Sequence, residues 1–168
     1  MTSWTLRSDS AKATAASEGR FRISYPRAPA RAVRVIALDS GAEAIVRRVS
    51  LLPWNSASFY LAETSWNKTG LEGGPAEVVL HRIDGSAASL NEELTGVDSV
   101  VMVATTEAGT EAAATIGAAC AVRGIITAGL VFGEDNPQTV SALRPYARVL
   151  VVSRDESDLE TVLTAMRA

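Results

Sequence analysis

Two short loops hold the side chains with the clearest chemical potential. Asp39-Ser40-Gly41-Ala42 follows the apolar run Val33 to Leu38, and Thr105-Thr106-Glu107-Ala108-Gly109-Thr110 follows Ser99 to Ala104. Each loop then opens into a helical pattern, so each presents the unpaired amides of a helix N-terminus, which favour an anion. The hydroxyls of Ser40, Thr105, Thr106 and Thr110 add donors suited to a phosphate. Bulk at Gly109 is expected to block such a ligand without unfolding the sheet. The candidate ligand-binding residues are therefore Ser40, Gly41, Ala42, Thr105, Thr106, Gly109 and Thr110. Ser and Thr at helix starts are equally ordinary caps, and the two readings stand side by side in the sequence.

Other chemistries find less support. The dinucleotide fingerprint G-x-G-x-x-G is absent, and Asp39 puts a carboxylate where a pyrophosphate needs bare amides. The sequence thus argues against ordinary NAD or FAD binding and leaves a nucleotide of another kind as the cofactor to consider. No G-x-x-x-x-G-K-[ST] occurs, which removes the P-loop. Asp39, Asp84 and Glu107 could meet as a hard-cation site, but acidic residues at loop starts are commonly turn formers. One histidine, His81, and one cysteine, Cys120, make a His/Cys metal site or a thiol–imidazole pair a poor fit. His81 lies inside a strand pattern and Cys120 on the apolar side of a helix, as structural residues do. No catalytic residue and no metal ligand is assigned.

The elements that must position these loops follow from hydrophobic periodicity. Val100 to Ala104 is apolar without alternation, as in a strand covered on both faces. The small-residue helix Thr110 to Arg123 comes next, with Gly124 as its C-cap, and Ile125 to Phe132 returns as a strand, giving a right-handed βαβ unit. Upstream, Val33 to Leu38 is a strand, Ala42 to Leu51 an amphipathic helix, and Ala57 to Ala62 a second strand. A loop from Glu63 to Pro75 leads to a third strand, Glu77 to Ile83. Ser86 to Leu94 reads as a short helical connection with Ser89 at its N-cap. Asn136 to Tyr146 and Asp155 to Met166 are helices, and Arg148 to Ser153 is a strand between them. Six strands alternating with helical patterns imply an α/β fold: a three-layer, Rossmann-like, doubly wound and mostly parallel sheet in the order 3-2-1-4-5-6. Its switch point, where ligands bind in such sheets, falls between the first and fourth strands. The two loops lie there.

The segments Val35-Ile36-Ala37-Leu38-Asp39-Ser40-Gly41 and Val101 to Ala113, with the strand Gly124 to Val131, resemble the GTP-binding domain of the bacterial tubulin-like division protein family. The likeness spans roughly Val33 to Ser153 and lies in strand–loop–helix texture. It implies a nucleotide-binding domain with the phosphates over both loops. The first loop keeps only Gly41, and the phosphate signature keeps only Gly109 and Thr110. The family also continues into a long central helix and a second domain, which supplies the acidic loop that completes hydrolysis. The resemblance therefore implies a degenerate, truncated relative and not a polymerising GTPase.

Composition narrows the partners. The 168 residues suffice for one domain, and 47% hydrophobic with 5% aromatic residues requires a core of Ala, Val, Ile and Leu. A net charge of −3 argues against nucleic acid, which needs a basic face. No apolar run approaches the roughly 20 residues of a membrane helix, and no secretory leader is visible, so the cytoplasm is the expected compartment. Residues 1–31 read as an extended arm ahead of a domain at 32–168. Trp4, Leu6, Phe21, Ile23 and Tyr25 are the arm's apolar anchors, through which a homo-oligomer or a protein partner is expected. The function expected is a non-catalytic accessory, regulatory or assembly protein that binds a nucleotide or other anion at the switch point. An enzyme acting on a phosphorylated or carboxylated substrate in the same crevice is the alternative, and a purely structural interaction subunit is a further one.

Overall fold

The computed structural model describes residues 30–65 and 77–168. The N-terminal arm up to residue 29, with its anchors, and Trp66 with its glycine-rich loop lie outside the described residues. The described residues form an α/β fold in which five α-helices flank one mixed, mostly parallel sheet of seven strands, ordered β4-β3-β2-β1-β5-β6-β7.

The strands are β1 (Val33–Ala37), β2 (Ala57–Ser65), β3 (Glu77–Arg82), β4 (Ala87–Ser89), β5 (Ser99–Ala104), β6 (Ile126–Phe132) and β7 (Ala147–Ser153). β2, β1, β5, β6 and β7 run parallel, with Val35 of β1 between Phe59 and Val101. Every residue of β5 is buried, as its unbroken apolar run requires of a strand with helices on both faces. Side-chain alternation then divides the interior. Val33, Val35, Val101, Val103 and Leu130 point into one core, and Ile36, Val100, Met102 and Val131 into the other.

The helices are α1 (Ser40–Ser50), α2 (Leu90–Glu93), α3 (Thr110–Arg123), α4 (Pro137–Leu143) and α5 (Ser157–Met166). α1 buries Ala42, Ile45, Val46 and Val49, one stripe of a 3.6-residue period, and shares its core with Leu159 and Leu163 of α5. α3 and α4 cover the opposite face through Ala112, Ala113, Ile116, Cys120 and Leu143. α3 ends at Gly124, whose φ of 68° makes a left-handed cap. Burial pushes the Cys120 thiol up, in keeping with an inert core residue.

The six-strand expectation needs correction. The sheet has seven strands in a different order, because Ala87–Ser89 is a strand where a helical connection was expected. β3 runs antiparallel to both β2 and β4, with Leu61 opposite His81 and Leu80 opposite Ala88. The β3–β4 turn is made by Asp84 and Gly85, Gly85 at φ 87°, and Asp84 accepts from the amide and hydroxyl of Ser86. Two smaller expectations also shift. Ile126, within the apolar run Ile125 to Phe132 read as a sheet strand, is 38% exposed, and Ser89 precedes α2 without a capping hydrogen bond from its side chain.

Candidate functional site

The C-terminal ends of β1 and β5 adjoin at the point where the order of the parallel strands reverses, so the Asp39 and Thr105 loops face each other there. Asp39 precedes α1 with extended backbone, φ −147° and ψ 173°. That conformation turns its side chain back over the helix start, where Oδ1 accepts from the Ala42 amide at 2.9 Å, an N-cap bond. The same oxygen accepts from Thr105 Oγ1 at 2.6 Å. Oδ2 accepts from the amides of Thr105 at 2.7 Å and Thr106 at 3.0 Å. One carboxylate thus joins two loops 66 residues apart.

The electrostatics follow from these four donors. Partial burial pushes the Asp39 carboxyl up, but the bonds from the Thr105 hydroxyl and the amides of Ala42, Thr105 and Thr106 outweigh it, and its pKa falls below the ordinary value of 3.8. The charged form is held.

On the other side of the Thr105–Thr106 dipeptide, the loop after β6 completes the enclosure. Asn136 Nδ2 donates to the Thr105 carbonyl and to the Phe132 carbonyl, each at 3.1 Å. Thr139 Oγ1 donates to the Thr106 carbonyl at 3.1 Å and lies 3.1 Å from Thr110 Oγ1, which itself donates to the Glu107 carbonyl at 2.7 Å. Glu107 Oε1 accepts from the Gln138 amide at 3.0 Å and so caps the first turn of α4. All four backbone polar groups of Thr105 and Thr106 are therefore engaged. Thr106 Oγ1 also accepts from the Ala108 amide at 3.3 Å.

The two glycines serve the same closure. A Cβ on Gly41 would sit 2.1 Å from Thr105 Oγ1, and one on Gly109 would sit 2.5 Å from Leu38 Cβ and 2.9 Å from the Leu38 carbonyl oxygen. The space their missing side chains leave is filled by the opposite loop.

Of the seven residues singled out in the sequence, all lie at this switch point. The amides of Ala42, Thr105 and Thr106 and the hydroxyls of Thr105 and Thr110 have partners within the chain. Ser40 is exposed at the rim. Asn136 and Thr139, both buried, and Gln138 were missed, because only the placement of β6 beside β5 brings them to the crevice. The three carboxylates considered for a cation do not converge. Asp84 ends an antiparallel strand and lies at the amino ends of the parallel strands, opposite Asp39 and Glu107. Among the described residues no group of three potential metal ligands occurs. His81 pairs through Nε2 with Glu63 at 2.9 Å on the β2–β3 ladder.

A second polar cluster, unmarked in the sequence, lies where β1 and β2 begin. Glu93 of α2 accepts from the Tyr60 hydroxyl and from Arg82, while Arg34 Nε donates to the Glu93 carbonyl at 3.1 Å. Burial, and then the bond to Glu93, push the Tyr60 hydroxyl up. Every charged member is hydrogen-bonded, Arg82 to the Glu93 carboxylate and Arg34 to the Glu93 carbonyl, so the cluster ties α2 to the sheet. No protein-family model matches the chain, and no curated protein is significantly similar to it.

Proposed function

We propose that this chain is a non-catalytic α/β domain that works through contacts with other proteins, as an accessory, regulatory or assembly subunit, with its switch-point crevice closed by its own side chain. The observation that carries this reading is the Asp39 carboxylate, which occupies the donors an incoming anion would need: the amides of Ala42, Thr105 and Thr106 and the hydroxyl of Thr105. A fixed internal negative charge also repels a phosphate. Kinship with the tubulin-like division GTPases fits the same reading, as a relative whose phosphate loops have been bolted together.

The test is a thermal-shift series with ATP, GTP, NAD and inorganic phosphate. A ligand at about a hundred times its Kd stabilises by roughly 2.7 kcal/mol, which raises Tm by about 5–11 °C for a chain of this size. The expected result is no such rise. A rise with any of the four would overturn the reading and restore the crevice as a binding site.

A further inference from the structure

Among the described residues, β2 enters the sheet with a neighbour on one side only. Ala57, Ser58 and Phe59 pair with Val33, Arg34 and Val35 of β1, but β3 extends only as far as Arg82, opposite Tyr60. There the chain turns at Ile83 and Asp84. The Ile83 carbonyl, next in line for the Phe59 amide, accepts from Arg47 Nη1 at 3.0 Å instead. Because the Val33 amide donates to the Ser56 carbonyl, the parallel ladder turns the amides of Ala57 and Phe59 away from β1. Neither finds an acceptor among the described residues. The notch they face is an open groove of about 550 Å³, lined by Leu51, Ser58, Phe59, Ile83 and Asp84. Leu51, on its rim, is 85% exposed.

The length of chain ahead of β1 says what fits there. Arg31 leaves at this same end of the strands, with its amide on the Arg167 carbonyl at 3.2 Å. The notch lies two strand spacings from β1, about 10 Å. The outer sides of β4 and β7 lie four spacings away, about 19 Å. From Tyr25 to Arg31 the chain spans at most about 20 Å, which reaches the notch with slack and either outer edge only when drawn taut. Residues 66–76 join β2 to β3 at the opposite end of the strands. Within the arm, Phe21-Arg22-Ile23-Ser24-Tyr25 alternates as a strand with one apolar side does.

We propose that Ile23 to Tyr25 of the chain's own N-terminal arm pair with Ala57 to Phe59 as a short antiparallel strand in this notch. A parallel strand would need a crossover of about a dozen residues, and only residues 26–32 separate Tyr25 from Val33. Phe59 packs with the core beneath α1 and Tyr60 with the other core. Opposite residues of an antiparallel pair share a face, so Ile23 and Tyr25 belong on the side of Phe59 and Leu51. Ile23 then lies opposite Phe59, Ser24 opposite Ser58 and Tyr25 opposite Ala57. The carbonyls of Ile23 and Tyr25 take the two free amides. Pro26, which has no amide to donate, falls where the new strand ends. A shift of two residues would set Tyr25 opposite Asn55, outside β2.

Nothing at the switch point bears on this docking, so a nucleotide found in the crevice would sink the functional reading and leave the arm where it is. A cross-link in the full chain tests the register. In a Cys120→Ala background, Ser24→Cys and Ser58→Cys face each other as a non-hydrogen-bonded pair with Cα atoms about 4.5 Å apart, within reach of a disulfide. Oxidised glutathione should join them within one chain, read by intact mass and a non-reducing gel. Ser17→Cys with Ser58→Cys, outside the pairing, should join about tenfold more slowly. Limited proteolysis is the second readout. In the parent chain trypsin should cut after Arg7 and Lys12 well before Arg22, whose next residue is held in the notch. Leu51→Asp, a change at an exposed rim position, should speed the Arg22 cut about tenfold with the circular dichroism spectrum unchanged. Four outcomes would each overturn the proposal: no disulfide between positions 24 and 58, equal joining of 17 to 58, a covalent dimer in place of the intrachain bond, or an Arg22 cut that Leu51→Asp does not hasten. The dimer would assign the notch to the arm of a second copy.

Discussion

Removing the Asp39 carboxylate should loosen the protein and at the same time create the anion site it lacks. In Asp39→Ala, four donors lose their acceptor: three backbone amides and the Thr105 hydroxyl. Hydrogen bonds to a charged group contribute roughly 1.5–3 kcal/mol each when buried, and loss of an N-cap alone costs about 0.5–2 kcal/mol. Asp39 is only half-buried, so in the variant water can reach the freed donors and most of the gross value is recovered. A net loss of about 3 kcal/mol follows, which lowers Tm by roughly 6–12 °C. The pH dependence has a definite sign. Because the folded pKa lies below 3.8, the carboxylate's stabilisation is complete above about pH 4 and is lost as pH falls through the folded value. The gap in Tm between parent and variant should accordingly be constant from pH 5 to 8 and narrow as pH falls below the ordinary carboxyl value of 3.8. Four convergent donors without an internal acceptor should also take an external one. Formate or acetate, matched in ionic strength with chloride, should raise the Tm of Asp39→Ala and leave the parent unmoved. Scanning calorimetry across pH and added carboxylate gives all three readouts. An Asp39→Ala protein with parental Tm, or one that formate does not stabilise, would refute the idea that this carboxylate stands in for a ligand.

Two further outcomes follow from close packing and from the second polar cluster. Gly117→Ala would normally strengthen a helix by about 1 kcal/mol, but its Cβ would sit 2.4 Å from the Tyr146 ring, so chemical denaturation should show a loss of about 1–3 kcal/mol. Glu93→Ala strands the buried Tyr60 hydroxyl and frees Arg82; a loss of about 1–3 kcal/mol is expected, with a tyrosine absorbance titration that begins at lower pH than in the parent, since Glu93 raises the Tyr60 pKa. An unchanged titration would mean that Glu93 does not bear on Tyr60.

Much of the architecture was legible because parallel strands and their helices announce themselves. The unbroken run of β5 and the Gly124 cap could be read without a structure. The antiparallel turn of β3 was misread, although its physical cause was in view. A parallel crossover needs a dozen or more residues, usually helical, and the stretch between β2 and β3 holds three glycines and no helical period. β4 was hidden by its composition, Ala-Ala-Ser, and only the Asp84-Gly85 turn signal marked it. At the switch point the loops themselves were visible, as was the awkwardness of Asp39 for a pyrophosphate. What the aspartate binds beyond the Ala42 amide was not visible, because its other partners, Thr105 and Thr106, lie 66 and 67 residues away. Asn136 comes from a third loop and Thr139 from the first turn of α4, and a polar residue after a strand carries no mark of which carbonyl it will meet.

The strand order also sets a timetable for synthesis. β1 is the first described strand to be made, yet it lies at the middle of the sheet, with β2 on one side and β5 on the other. The residue opposite Val33 on the second side is Ser99, 66 positions later. At roughly 5–20 residues per second, a ribosome needs about 3–13 s to supply it. Throughout that interval Val35 and Ile36 sit beside an open ladder with half of their covering layer unmade. Unpaired strand edges beside apolar surface are prone to wrong association, and that exposure ends when β5 closes the gap.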